Sequence, residues 1–182
     1  MEEIRGRRGM LCFPQMATKA QITAEQYLHM TFEYDAEFVR GEIVARSMPD
    51  LSHSAVQFIV CWGFWELEKR FRLSPCIGIR MKLGNGLYRV ADVAVFSDRP
   101  AEQYPEQPPL IVVEILSPDD RHHDLMDKLE EYRVWGVQNI WVVDPLAKRL
   151  SVYTESALRN VSSLALADYP FELTPSVLFS DL

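Results

Sequence analysis

The chain has 182 residues, of which 48% are hydrophobic and 25% charged, and carries a formal net charge of −7. That apolar fraction excludes a disordered chain, and 8 glycines with 11 prolines exclude collagen-like and low-complexity classes. The acidic balance argues against a protein held to nucleic acid by non-specific phosphate attraction, so any such role must rest on a local site.

The length predicts one domain built on a single core, with a short extension. Residues 1–15 match nothing that follows, whereas Met16-Ala-Thr-Lys looks like a natural start. The expectation is a dispensable N-terminal extension over 1–15 and a folded domain over 16–182. The longest near-continuous apolar run, Ala55 to Trp65, contains Gln57 and falls short of the ~20 residues a bilayer requires, so no membrane span is expected. Cys12, Cys61 and Cys76 share no C-x-x-C spacing. They are expected to be reduced, buried side chains of a cytoplasmic protein, without disulfides or zinc.

In chain order, Thr23 predicts a short helix, with Gln26 in the capping-box position. Residues 36–46 read as two short strands turning at Gly41. Ser52 or Ser54 opens the longest helix, to about Arg72, with Val56, Ile59, Val60, Gly63, Phe64, Leu67 and Phe71 spaced as a core face. Cys76 to Leu83 and Leu87 to Phe96 flank Gly84-Asn85-Gly86, a hairpin signal. Leu110 to Leu116 is apolar on both faces, as in a central strand. Ser117-Pro-Asp-Asp120 starts a helix to about Trp135, and Gly136 stops it. Asn139 to Val143, Leu150 to Thr154 and short C-terminal strands complete an α/β chain with a mixed sheet covered by helices.

The informative residues are acids inside apolar strands. Asp92 shares a strand face with Val90, Ala94 and Phe96, and Glu114 shares one with Val112 and Leu116. An ionised carboxylate in that setting costs several kcal/mol unless a cation compensates it. One acid alone is accounted for by an arginine partner or a strand end in water. Two on adjacent strands also repel, and a hard divalent cation such as Mg²⁺ or Mn²⁺ resolves both problems. On the following helix Leu125, Leu129 and Tyr132 define the inward stripe, and Lys128 lies about 60° off it, close enough to bring its ammonium toward the sheet. A solvated lysine paired with Asp124 is the alternative.

Two carboxylates, a metal and a lysine suit phosphodiester hydrolysis: the metal polarises the phosphate and activates water, and the lysine orients that water or neutralises developing charge. No P-loop, dinucleotide-binding or nucleophile-elbow motif occurs. The adjacent His122 and His123 cannot reproduce an i, i+4 zinc pair. Arg80, Lys82 and Arg89 read equally as phosphate contacts or as a solvated sheet rim. For His53, polarity at the start of the long helix is the simpler reading than DNA contact.

Glu37-Phe-Val-Arg-Gly-Glu42-Ile-Val, Tyr88-Arg-Val-Ala-Asp92-Val-Ala-Val-Phe96, Val112-Val-Glu114-Ile-Leu-Ser-Pro118, Asp127-Lys128-Leu-Glu-Glu-Tyr132 and Trp141-Val-Val-Asp-Pro145 together resemble the "putative restriction endonuclease" family abundant in cyanobacteria. That family is a branch of the PD-(D/E)XK nuclease superfamily. The resemblance implies a restriction-endonuclease-like mixed β-sheet flanked by helices, Mg²⁺-dependent DNA cleavage and a homodimer. Position by position it implies Asp92 and Glu114 as catalytic metal ligands, Glu42 in preference to Glu37 as the upstream acid, and Lys128 as the catalytic lysine. Two departures stand out: Ala91 replaces the proline before the aspartate, and Leu116 occupies the usual lysine position. The superfamily sometimes moves that lysine to the next helix, which fits Lys128. The rival functions are a degenerate nuclease fold that binds DNA or protein without cutting, and an assembly role for the long helix, where Phe58, Trp62 and Trp65 lie beside the core stripe. For Glu42, exposure at the hairpin turn is the alternative.

Overall fold

The computed structural model describes residues 22–33, 35–180 and 182. The expected extension over 1–15, with Cys12 in it, lies outside the described residues. The first helix, α1 (Ala24–His29), carries the expected capping box between Thr23 and Gln26. Strands β1 (Ala36–Val39) and β2 (Glu42–Ala45) then form an antiparallel hairpin. Its two turn residues, Arg40 and Gly41, have φ of 50° and 94°, as a two-residue turn between twisted strands requires.

The long helix α2 spans Leu51–Phe71 and is capped by neither Ser52 nor Ser54. Asp50 is the N-cap, its Oδ1 accepting from the His53 N–H at 2.7 Å. A carboxylate satisfies that orphan donor and also complements the helix dipole. Val56, Val60 and Phe64 are buried along the predicted stripe, with Ile59, Leu67 and Phe71 at its margins. Gly63 belongs there for steric reasons. A Cβ would lie 3.0 Å from Phe171 Cε2, and that ring is stacked on Phe64 with centroids 3.8 Å apart.

β3 (Ser74–Gly84) and β4 (Leu87–Phe96) form the long hairpin predicted around Gly84-Asn85-Gly86. β5 (Ile111–Ile115), α3 (His122–Trp135) and β6 (Asn139–Asp144) make a crossover unit in which β5 and β6 run parallel. Gly136, at φ 112°, closes α3. The start of α3 is later than the sequence implied. Ser117 to Asp120 instead form a turn, closed by Asp120 N–H to the Ser117 carbonyl (3.0 Å) and by Ser117 N–H to Asp120 Oδ2 (2.7 Å). That carboxylate is therefore spent before the helix begins. Strands β7 (Arg149–Thr154) and β8 (Ala157–Val161) follow, then a small pair, β9 (Leu164–Leu166) with β10 (Phe171–Leu173), and the one-turn helix α4 (Pro175–Leu178).

The main sheet has the order β2-β1-β4-β5-β6-β7-β8, with β3 also paired to β4. The period-two alternation of the central strands divides the core. Val93, Val95, Val113 and Ile115 pack with α2, while Ala94, Phe96, Val112 and Val142 pack with Leu129 and Tyr132 of α3. The result is a mixed sheet flanked by helices. Cys61 and Cys76 are free thiols, half-buried rather than fully buried. Among the described residues no helix is long and apolar enough to cross a membrane.

Candidate active site

The site arises from a split edge on β4. One edge of β4 pairs with β3. The other edge is shared: Leu87 and Tyr88 pair with β1, and Val93 to Val95 pair with β5. Among the described residues no strand pairs with that edge over 89–92. Buried backbone groups need partners, and here side chains supply them. Val90 N–H donates to Glu37 Oε1 (2.9 Å), Lys128 Nζ donates to the Val90 carbonyl (2.9 Å), and Gln57 Nε2 donates to the Asp92 carbonyl (2.8 Å).

Beyond the gap the strand register decides which acids meet. Val93 pairs with Val113, so one further rung sets Asp92 opposite Glu114, on the α3 face. The Ile115 N–H donates to Asp92 Oδ2 at 2.7 Å, fixing the aspartate against the end of β5. Lys128 reaches across from α3, its Nζ 2.8 Å from Glu114 Oε2 and 2.9 Å from Glu37 Oε1. One turn further along α3, the Tyr132 hydroxyl donates to Glu114 Oε1 at 2.9 Å. Asp92, Glu114 and Lys128 are only 3%, 5% and 9% exposed, yet all three line one cavity of about 300 Å³.

The compensation of these acids differs from the expectation of a metal alone. Asp92 is ion-paired through Oδ1 with the Arg46 guanidinium, and His53 Nε2 lies 3.3 Å from Oδ2. Glu37 is clamped by Arg89 NH1 at 2.7 Å, and the Nε of the same guanidinium donates to Glu131 at 2.6 Å. Arg89 is therefore a buried clamp and not a residue of a solvated rim. Burial alone raises a carboxyl pKa, but Lys128 and Arg89 outweigh it at Glu37, and His53 and Arg46 outweigh it at Asp92, so both acids sit below the ordinary carboxylate range. At Glu114 burial wins: it is pushed up to about 7, with Asp92 adding to the rise against the pull of Lys128. Burial also works against the Lys128 ammonium, but Glu114 and Glu37 reverse that and hold it charged. Glu114 is thus the least compensated acid of the cluster.

Glu42 is not brought to the site. It lies exposed on β2, an edge strand, opposite Val39, whereas Glu37 lies on β1 beside β4 and lines the cavity. Sequence reasoning missed Arg46, Gln57 and Tyr132 as parts of the cluster and, for His53, preferred a helix-start role to DNA contact. Tyr132 carried a readable signal, since it follows Lys128 by four residues and shares its helix face. Arg46 and Gln57 carried none, because only the split sheet edge brings them to Asp92.

Among the described residues no group of three or more His, Cys, Asp or Glu side chains is arranged to ligate a metal ion. The trio of Asp92, Glu114 and Glu42 is therefore not assembled. Asp92 and Glu114 nevertheless fit Mg²⁺ or Mn²⁺ by donor type. Both offer hard carboxylate oxygens to the same cavity, and Mg²⁺ is ordinarily held by one or two carboxylates, waters and substrate phosphate rather than by an all-protein cage.

A mixed sheet flanked by helices, with Asp92 and Glu114 on neighbouring strands and a lysine from the crossover helix bonded to Glu114, is a restriction-endonuclease-like α/β fold. The chain belongs to the Uma2 family, described as "Putative restriction endonuclease", whose profile it matches over residues 24–175. It is also similar to a crystal structure from Anabaena variabilis ATCC 29413, described as "a putative nuclease belonging to DUF820". That likeness has a TM-score of 0.78 and 23% identity, and covers 87% of this chain and 98% of the other. No curated protein matches the chain.

Proposed function

We propose that the protein is an endonuclease that hydrolyses DNA phosphodiester bonds with the help of Mg²⁺, or of Mn²⁺ in its place. The observation that carries this reading is the convergence of Asp92, Glu114 and Lys128, from β4, β5 and α3, on one cavity. Asp92 and Glu114 would hold the metal, which when bound polarises the scissile phosphate and lowers the pKa of a water. The incomplete compensation of Glu114 supports this assignment, because a further positive charge beside it favours its ionised form.

Lys128 supplies positive charge where the phosphorane-like transition state gains negative charge. Its ammonium already donates to the Val90 carbonyl and to Glu114 Oε2, and is ion-paired with Glu37 Oε1. Release of its contact with Glu114 frees an N–H to orient the attacking water. Tyr132 keeps the Glu114 carboxylate aimed while that exchange occurs. Glu37 stays with Arg89 and the Val90 N–H, so it anchors the lysine rather than moving with it.

The direct test is nicking of supercoiled plasmid with and without Mg²⁺. The wild-type protein is expected to cut only with metal, and Asp92→Ala and Glu114→Gln to lose cutting by about 10²-fold or more. Cutting by either variant at the wild-type rate would remove that residue from the site.

We also propose that two copies pair through α2. Leu51, Phe58, Trp62 and Trp65 are 84%, 62%, 53% and 51% exposed and fall on one stripe of the helix, with Phe58 and Trp62 stacked 6.1 Å apart. Their spacing of seven, four and three residues is that of a helix–helix seam. Light scattering is expected to give a dimer for the wild type and a monomer for Trp62→Glu. A wild-type monomer across the concentration range would refute the pairing.

A further inference from the structure

We propose that Arg46 is a displaceable counter-ion of Asp92: the guanidinium and a divalent cation compete for the same carboxylate, and the displaced guanidinium takes a DNA phosphate at the cavity mouth. The proposal rests on the nuclease reading and adds a coupling between metal and DNA that the reading does not contain.

The two oxygens of Asp92 are held differently. Oδ2 faces fixed partners, the Ile115 N–H at 2.7 Å and His53 Nε2 at 3.3 Å, both belonging to packed elements. Oδ1 faces the Arg46 guanidinium. Arg46 follows the end of β2 in the irregular segment that leads to α2, and its side chain is 21% exposed where that of Asp92 is 4% exposed. Its backbone N–H is tied to the Asp35 carbonyl at 3.2 Å, so the main chain can stay in place while the side chain turns. Among the described residues the one other side-chain contact of the guanidinium, to Asp35 Oδ2, is 3.5 Å long and ends on a carboxylate that is 42% exposed.

The other buried cations of the cluster are not free in this way. Lys128 donates to two acceptors and is ion-paired with Glu37, Arg89 bridges two carboxylates, and both are nearly enclosed. Arg46 is the cation at Asp92 that has, among the described residues, a single firm partner, and its side chain is partly open to solvent. A buried carboxylate needs positive charge beside it, and either the guanidinium or a metal ion provides it. Both together repel each other across a few ångströms, so binding of one weakens the other. The fork of the guanidinium matches two phosphate oxygens, and Arg46 lines the same cavity as the acids. A phosphate brought to that cavity gives the displaced side chain a new partner, so metal and DNA should bind cooperatively.

The test measures binding and not cleavage. Mn²⁺ affinity is read by titration calorimetry on the full chain for wild type, Arg46→Gln, Arg46→Lys and Asp92→Asn. Affinity for a short labelled duplex is then read by anisotropy with Ca²⁺ and with chelator across a salt series. Arg46→Gln is expected to bind Mn²⁺ about 5–10-fold more tightly than wild type, and its duplex affinity in Ca²⁺ to show a salt slope smaller by about one phosphate contact. Arg46→Lys keeps the charge and loses the fork. It is expected to fall between the two for Mn²⁺, which preserves the test if the glutamine variant folds poorly. Equal Mn²⁺ affinity in wild type and both Arg46 variants overturns the proposal, while loss of Mn²⁺ binding in Asp92→Asn alone leaves the nuclease reading standing. If wild type and the Arg46 variants all fail to bind Mn²⁺, the nuclease reading itself fails and takes this proposal with it.

Discussion

Lys128→Met is expected to lower plasmid cleavage by about 10²–10³-fold and to destabilise the fold by roughly 3–5 kcal/mol. Both effects have one origin. The ammonium is the cation closest to Glu114, lies 2.9 Å from Glu37 and also donates to the Val90 carbonyl on the unpaired edge of β4. Truncating it leaves buried carboxylates with less compensation and a backbone carbonyl without its donor. The two effects separate in a double variant. Lys128→Met with Glu114→Gln removes a charge of each sign, and replacing both members of a buried pair costs far less than removing one. Urea denaturation should therefore show the double variant regaining much of the stability lost by Lys128→Met, with Glu37 still held by Arg89. Cleavage should not recover at all. A folded Lys128→Met protein that cuts at the wild-type rate would reduce the lysine to a structural counter-ion.

The parts of this site that could be read in the sequence are those set by local periodicity. Asp92 and Glu114 stand out because a strand alternates every two residues, and each acid falls on an apolar face of an apolar strand. Lys128 stands out because 100° per residue places it near the inward stripe of α3, and the structure sets its ammonium against Glu114. The hairpin at Gly84-Asn85-Gly86 and the stop at Gly136 follow from the turn chemistry of glycine. What was not legible depends on long-range pairing. Choosing between Glu37 and Glu42 requires knowing that β1, and not β2, pairs with β4, and both strands have similar local patterns. The roles of Arg46 and Gln57 require the split in the β4 edge, which no window of sequence contains. The starts of α2 and α3 differ from the sequence reading for a local reason. Several acidic or hydroxyl residues near each start can cap a helix; Asp50 does so at α2, while α3 has no side-chain cap because Asp120 is taken by the Ser117 N–H and by the Ser47 hydroxyl, each at 2.7 Å.

Arg89→Met is expected to be the most destabilising single change away from Lys128, by roughly 3–5 kcal/mol. For a chain of this size that corresponds to a fall in Tm on the order of 6–20 °C, readable by calorimetry. Arg89 is 7% exposed and spans two elements: NH1 holds Glu37 of β1 at 2.7 Å, and Nε holds Glu131 of α3 at 2.6 Å. Methionine fills the space of the stem and supplies none of the charge, so the loss is electrostatic and must depend on pH. The sign follows from Glu37. Lys128 and Arg89 together outweigh burial and hold its carboxyl below the ordinary 4.5. A group depressed in the folded state stabilises the protein above its unfolded pKa, and that contribution is lost as pH falls through the folded value. The stability gap between wild type and Arg89→Met should therefore be full near neutrality and narrow as pH falls below about 4.5, because protonated Glu37 no longer needs the guanidinium. A gap that stayed constant down to acid pH would mean that Arg89 acts through packing. A variant within about 2 °C of wild type at neutral pH would mean that Lys128 alone is enough to hold Glu37.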